Sequence, residues 1–172
     1  MNKKLRLCMD IILTVILVWF DQFTKKLAVS KLMGKPAFPI IKGVLEFDYL
    51  ENRGVAFGML QGQRIMILIV GVVFIVGLLI FMLKMPEGRK YTILHVILSF
   101  VIAGGVGNII DRVSLEYVID FISFVLINFP IFNVADCYVV CGVIAMCIML
   151  LFVFKDEDLD FLSFKKVEEK ED

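Results

Sequence analysis

The sequence predicts an all-α membrane protein: four transmembrane helices with a small extracytoplasmic β-sheet and loop. Three observations predict it. The chain is 60% hydrophobic with a mean hydropathy of +0.90, above the roughly half-apolar composition of soluble domains. Its apolar residues fall into four long runs bounded by charged joints. One segment, 28–63, is interrupted by Gly34, Pro36 and Pro39 and alternates in polarity instead of running apolar. The formal net charge is zero, which argues against nucleic acid as a partner.

The first span covers about 8–27. It follows a basic stretch with Lys3, Lys4 and Arg6, and it is apolar to Phe20 except for Asp10. The pattern resembles a cleavable signal, and Ala28-Val29-Ser30 offers a small-x-small site. Asp21, Lys25 and Lys26 lie between the run and that site, where such a signal stays uncharged, so a retained span is expected. In the 28–63 segment, 44–50 reads as a strand, Asn52-Arg53-Gly54 as a turn, and 55–60 as a second short apolar stretch. An amphipathic sheet on the membrane surface fits these signals. Spans two to four are expected at 65–83, 91–110 and 134–154, each long enough for a bilayer that takes about 20 residues. A second extracytoplasmic segment, 111–133, separates the last two spans. The charged tail 155–172 is expected to be helical or disordered. The whole chain reads as one membrane-embedded domain.

Basic residues near the span ends set orientation. Lys84, Arg89 and Lys90 crowd the joint between spans two and three, whereas the 111–133 connection holds only Arg112. Both termini and the 84–90 joint are therefore expected in the cytoplasm. The lysines of 28–63 dissent, weakly because that loop is long.

This topology gathers charge. Span one runs outward and carries Asp21 near the outer leaflet, roughly 21 Å from Leu7 at 1.5 Å per residue. Span three runs outward to Asp111, span four starts outside with Asp136 in its first turn, and Asp120 lies between them. Carboxylates within or beside hydrocarbon cost several kcal/mol by most estimates and mark function. Asp10 is expected alone at the opposite end, where Asp10→Asn should be nearly silent.

The available chemistry narrows by elimination. No His-Glu-x-x-His or Gly-x-Ser-x-Gly pattern occurs. His95 is the single histidine, so no zinc or other metal site is expected. His95 and Ser99 sit at i, i+4 in span three, far from the acids, and read as a polar helix–helix contact. Cys8, Cys137, Cys141 and Cys147 read as small buried apolar residues, since a disulfide along one helix is geometrically poor. Carboxylate chemistry remains. Two neighbouring aspartates cannot both ionise cheaply, so they share a proton and divide acid and base roles. With Asn133 as helix cap, Asp136 falls at the third helical position, where the helix terminus favours negative charge. Asp120, in a Val-Ile-Asp-Phe-Ile context, is the easier one to keep protonated. Each of the other polar residues also has a plain structural reading: Asp21 pairs with Lys25 at i, i+4, Asn52 holds a turn, Asp111 is braced through Asn108 and Arg112, and Gly104, Gly105 and Gly107 allow close helix packing.

Five blocks together resemble the lipoprotein signal peptidases (signal peptidase II): Asp21-Gln22-Phe23-Thr24-Lys25, the run 52–58 from Asn52, Gly107-Asn108-Ile109-Ile110-Asp111-Arg112, Val118-Ile119-Asp120-Phe121, and Phe132-Asn133-Val134-Ala135-Asp136. The resemblance implies a four-helix aspartyl endopeptidase of the bacterial inner membrane, without cofactor, whose sheet cradles substrate. It implies cleavage of prolipoprotein signal peptides just before a cysteine carrying diacylglyceryl, so that the partners are lipid-modified prolipoproteins and membrane lipids; a monomer is expected, although the sequence does not fix the oligomeric state. By motif, Asp120 and Asp136 are the catalytic pair, and Asp21, Lys25, Asn52, Gly54, Asn108, Asp111, Arg112 and Asn133 support the site or contact substrate. Cys137 stands where the family commonly has serine, and Ile119 where valine is frequent. The competing reading is a small proton-coupled transporter or channel subunit; acids on a conduction path would be spread through the bilayer depth, and here they gather on one side.

Overall fold

The computed structural model describes residues 2–55 and 59–162. Helix α1 (Lys3–Leu32) is capped by the Asn2 side chain, which accepts from the Lys4 amide. Strands β1 (Phe38–Ile41) and β2 (Leu45–Asn52) follow, then helices α2 (Arg64–Lys84) and α3 (Arg89–Ser114). Strand β3 (Val118–Phe124), a 3₁₀ turn (Val125–Ile127), helix α4 (Val134–Phe152) and a 3₁₀ segment (Asp156–Leu162) complete the order. All four α-helices are long and apolar enough to cross a membrane. At 30 residues, α1 reaches about 45 Å; it therefore extends beyond a hydrocarbon layer of about 30 Å.

Helix α3 is the hub, packed against α1, α2 and α4. A Cβ on Gly104 would lie 2.3 Å from the Ala135 carbonyl oxygen, so only glycine lets α4 approach that closely. Much of the outward-facing helical surface is apolar. On α2 only Met82 is buried, while Ile65, Ile69, Val73 and Leu83 are exposed, as befits a helix solvated by lipid chains. The cysteines share this outward face: Cys8, Cys141 and Cys147 are exposed and Cys137 is half-buried, all with free thiols. The expectation of buried cysteines fails because the excess hydropathy serves the lipid face rather than a core.

The sheet order is β1-β2-β3, antiparallel throughout. Strand β2, expected at 44–50, pairs on one side with β1 and on the other with the distant β3. Val55 lies in a bend and Met59 and Leu60 in a turn, while 56–58 lie outside the described residues. Pro39 is tolerated because β1 is an edge strand. Ala28, Ile119 and Phe121, with Val29, Leu32, Phe47 and Tyr49 against them, join the sheet to the last turns of α1.

At the other end, Met82, Met85, Tyr91, Leu94, Leu98, Met149 and Phe154 form the larger buried cluster. Asp10 is not alone there: its Oδ2 lies 2.6 Å from His95 Nδ1, both side chains buried. The pair crosses from α1 to α3, so His95 is a helix–helix contact as expected, with a partner the sequence does not reveal. Ser99 Oγ donates to the His95 carbonyl at 2.9 Å. Arg6 donates to the carbonyls of Pro86 at 2.7 Å and Met85 at 3.1 Å. The 3₁₀ segment folds back on this end, where Lys90 pairs with Asp158 and Phe161 packs on Tyr91. The remainder of the tail, 163–172, lies outside the described residues.

Candidate active site

The site starts from the first turn of α4. Asn133 is its cap, with a reciprocal box: Asn133 Oδ1 accepts from the Asp136 amide at 3.0 Å, and Asp136 Oδ2 accepts from the Asn133 amide at 3.1 Å. This satisfies two helix-end N–H groups at once and fixes the Asp136 carboxylate on the positive end of the helix. The same Asn133 side chain uses its Nδ2 to reach Asp120 Oδ1 at 2.6 Å and Asn108 Oδ1 at 3.1 Å. One capping asparagine therefore connects both acids.

Asp120 sits in β3 and is 1% exposed. Its second oxygen accepts from Asn52 Nδ2 at 2.9 Å, at the end of β2. Asn52 Oδ1 in turn accepts from the Gly54 amide at 3.0 Å, the side-chain turn that asparagine favours. Burial, followed by the nearby Asp136 charge, pushes the Asp120 carboxyl up to about 7; hydrogen bonds from Asn52 and Asn133 and the more distant Lys25 charge oppose the rise. Asp136 is half-buried, so the pair has one enclosed member and one that reaches open space.

Asn108, on α3, donates Nδ2 to Asp136 Oδ1 at 2.8 Å. Its Oδ1 accepts from Lys25 Nζ at 2.9 Å as well as from Asn133. An amide with two donors at its oxygen can present only its nitrogen to the carboxylate, so Lys25 orients the group that touches Asp136. Lys25 is itself 1% exposed and bridges Asp21 at 2.9 Å and Asp111 at 3.0 Å. All three of its N–H donors are used.

The two bracing carboxylates also hold the backbone. Asp21 Oδ1 accepts from the Ala135 amide at 3.0 Å, another first-turn N–H of α4. Asp111 Oδ2 accepts from the Ile119 amide at 3.1 Å, which hangs β3, and with it Asp120, from the end of α3. Gln22 Nε2 spans the pair, 2.8 Å from Asp111 Oδ1 and 3.2 Å from Asp21 Oδ2. Gly107 makes room for this: a Cβ there would meet Asp21 Oδ2 at 2.5 Å. Arg112 turns away from Asp111, donating to the Gly54 carbonyl at 2.8 Å and the Asn108 carbonyl at 3.2 Å. Asp111 is thus braced by Lys25, Gln22 and the Ile119 amide, not by Asn108 and Arg112 as the local sequence suggested. Sequence neighbours on a helix point in different directions, and the partners come from α1 and β3.

The structure brings all ten singled-out residues, Asp21, Lys25, Asn52, Gly54, Asn108, Asp111, Arg112, Asp120, Asn133 and Asp136, into one network at one end of the bundle. Gln22 and the amides of Ile119 and Ala135 belong to it too. Gln22 was visible as part of a motif; the amides carry no sequence signal. Among the described residues, no group of three or more His, Cys, Asp or Glu side chains is arranged to hold a metal ion.

The family model for signal peptidase (SPase) II matches residues 13–152. The chain belongs to the signal peptidase II family. Among its relatives are the lipoprotein signal peptidases of Caldanaerobacter subterraneus subsp. tengcongensis, 41% identical over 84% of this chain and 97% of that protein, and of Clostridium novyi, 34% identical over 83% and 97%. That of Brevibacillus brevis is 39% identical over 84% of this chain and 94% of its own. Two solved structures of bacterial membrane enzymes share the fold. One has a TM-score of 0.74 at 32% identity, covering 93% of this chain and 94% of that chain. The other has a TM-score of 0.74 at 33% identity over 85% and 94%. The family match ends at the last turn of α4, so the 3₁₀ segment Asp156–Leu162 lies outside it.

Proposed function

We propose that this membrane protein is an aspartic endopeptidase that removes signal peptides from bacterial prolipoproteins, cutting just before the diacylglyceryl-modified cysteine. The single observation that carries the chemistry is the Asn133 bridge between Asp120 and Asp136. Family membership supports the substrate class: its relatives are lipoprotein signal peptidases.

In this reading Asp136 enters as the carboxylate and Asp120 as the acid. Asp136 accepts from Asn108 Nδ2 and the Asn133 amide at a helix N-terminus, which favours its negative charge. Asp120, with its carboxyl at about 7, holds a proton near neutral pH and gives it up without a large penalty. A water between them loses a proton to Asp136 as its oxygen bonds to the scissile carbonyl carbon, while Asp120 protonates the carbonyl oxygen. Collapse of the tetrahedral adduct breaks the C–N bond. The leaving amine takes the proton held by Asp136, and the adduct hydroxyl returns a proton to Asp120. Asn52, Asn108 and Asn133 hold both carboxylates in register through the cycle, as preorganised donors do.

Sidedness belongs to the same proposal. The basic joint 84–90 and basic N-terminus favour the cytoplasm for the Asp10–His95 end, which leaves the aspartate pair at the outer leaflet of the cytoplasmic membrane. Trp19 and Phe23, stacked at 5.5 Å on the exposed face of α1, flank Asp21 within about 3 Å of rise on either side. Tryptophan gathers at membrane interfaces, the depth at which a diacylglyceryl anchor would present its cysteine. One chain supplies all ten site residues, so a single copy suffices to build the site.

The test is cleavage of a lipid-modified prolipoprotein by the purified protein in detergent, with Asp120→Asn and Asp136→Asn alongside. Cleavage by the parent, and its loss in both variants while each still folds, is expected. Undiminished cleavage by either variant overturns the two-aspartate mechanism. Equal cleavage of the unlipidated precursor overturns the assigned substrate.

A further inference from the structure

At the end of the sheet away from Asn52, the apolar end of β1 and an apolar 3₁₀ turn lie side by side. The end of β1 carries Ile40 and Ile41, both exposed, and Lys42 opens the turn into β2, also exposed. The 3₁₀ turn after β3 carries Leu126 and Ile127, 69% and 68% exposed. Their adjacency is set by pairing: Ile41 lies opposite Leu45, Leu45 opposite Phe124, and the Val125 amide donates to the Val44 carbonyl at 3.0 Å.

A turn that faces water is normally built from small polar residues, and an edge strand that faces water is normally kept short, charged or covered. Four large exposed aliphatic side chains at one tip form a patch that a monomeric protein leaves bare only where something covers it. The sheet sits where the helices leave the membrane: Leu32 and Val134, at ends of α1 and α4, pack on its apolar cluster. The lipid-facing surface of the bundle therefore continues toward this tip. Lys42 at the start of the turn adds a positive charge suited to anionic headgroups, worth about 1 kcal/mol near such a surface.

We infer that the Ile40-Ile41 end of β1 and the Leu126-Ile127 turn form a lipid-inserted anchor, seated in the leaflet on the active-site side and favoured by anionic lipid through Lys42. The anchor stands on the same strand as Asp120, four residues from Phe124, so about 13 Å of rigid β3 links them. Seating the tip fixes the tilt of β3, and with it the depth of Asp120, relative to the bilayer. This goes beyond the proposed proteolysis and is read without it.

The test uses Trp19, the single tryptophan. In a Trp19→Phe background, Ile127→Trp and, separately, Ile40→Trp report on the tip in vesicles of phosphatidylcholine with phosphatidylglycerol. Blue-shifted emission, lost to lipids bearing a nitroxide near the headgroup and insensitive to aqueous iodide, is expected of both. Adding Lys42→Gln should lower the inserted-to-withdrawn ratio about fivefold in anionic vesicles, the factor equivalent to about 1 kcal/mol, and leave it unchanged in pure phosphatidylcholine. Emission quenched by iodide but not by the nitroxide lipid overturns the anchor. Emission that shifts with protein-to-lipid ratio instead of lipid label assigns the patch to a second copy of the chain and also overturns it. Thermal unfolding of each variant, and agreement between the two tryptophan positions, separate a misfolded tip from a withdrawn one.

Discussion

Replacing Lys25 with methionine keeps most of its volume and removes the ammonium that touches two buried carboxylates. Asp21 is 0% and Asp111 2% exposed, so neither charge can recover water when its partner goes. Removing one partner of a buried ion pair costs about 3–5 kcal/mol. The low end applies here, because Asp21 keeps the Ala135 amide and Asp111 keeps the Ile119 amide, with Gln22 between them. For a chain of this size each kcal/mol moves the midpoint by about 2–4 °C, so a fall of roughly 6–12 °C is expected. The assay is thermal unfolding of purified protein in detergent. Activity should fall as well, since Asn108 Oδ1 loses one of two donors and its Nδ2 is no longer held on Asp136. Adding Asp111→Asn to Lys25→Met removes one uncompensated charge and should recover part of the loss, a coupling that a double-mutant cycle measures directly. A midpoint shift under about 2 °C for Lys25→Met, or simple additivity with Asp111→Asn, would refute the account of a desolvated ion cluster.

Asp120 sets a pH dependence whose sign is fixed by burial. Its carboxyl is raised from 3.8 to about 7, so the folded chain keeps a proton that the unfolded chain releases, and stability falls as pH rises through that window. At about 1.4 kcal/mol per pH unit the upper limit is about 4 kcal/mol; Asp120→Asn should therefore gain midpoint over the parent near neutrality and above and lose that gain at acid pH, as melting curves across pH will read. The activity profile of the parent should carry a falling limb near pH 7. Asn133→Ala removes a helix cap worth about 1 kcal/mol and a hydrogen bond that holds the Asp120 carboxyl down. Its rate should fall while the alkaline limb moves to higher pH, a shift that a purely structural role would not produce. Asp10→Asn, silent by sequence, should cost about 1–3 kcal/mol through the buried His95 contact, yet leave turnover at the far end unchanged when stability and cleavage are measured on the same preparation.

The four spans were legible because bilayer thickness converts directly into a length of apolar residues, and the helices observed begin and end within a few residues of those runs. Asp21 with Lys25 was legible for a local reason, the i, i+4 spacing on one helix. So was the Asn133–Asp136 box, which needs only the first turn of α4. Non-local pairs were not. Nothing in the sequence around β2 names β3 as its neighbour, since the two strands are separated by two membrane helices. Asp10 and His95 lie 85 positions apart, and neither carries a pattern that points to the other. The cysteines misled for another reason: apolar composition marks both a core and a lipid-facing surface, and hydropathy alone does not separate them.

By itself, then, the sequence determined what a one-dimensional pattern can encode: the number of crossings, the polar end at which the acids gather, the helix cap beside Asp136 and the motif blocks of the family. The tertiary structure alone decided how that polar end is wired. It turned Lys25 toward Asp111 as well as Asp21, set the Asn108 amide with its nitrogen on Asp136, and hung Asp120 from α3 through one backbone amide. Those choices follow from directions in space: a buried charge takes whichever partner packing brings within about 3 Å, and packing is a property of the assembled helices.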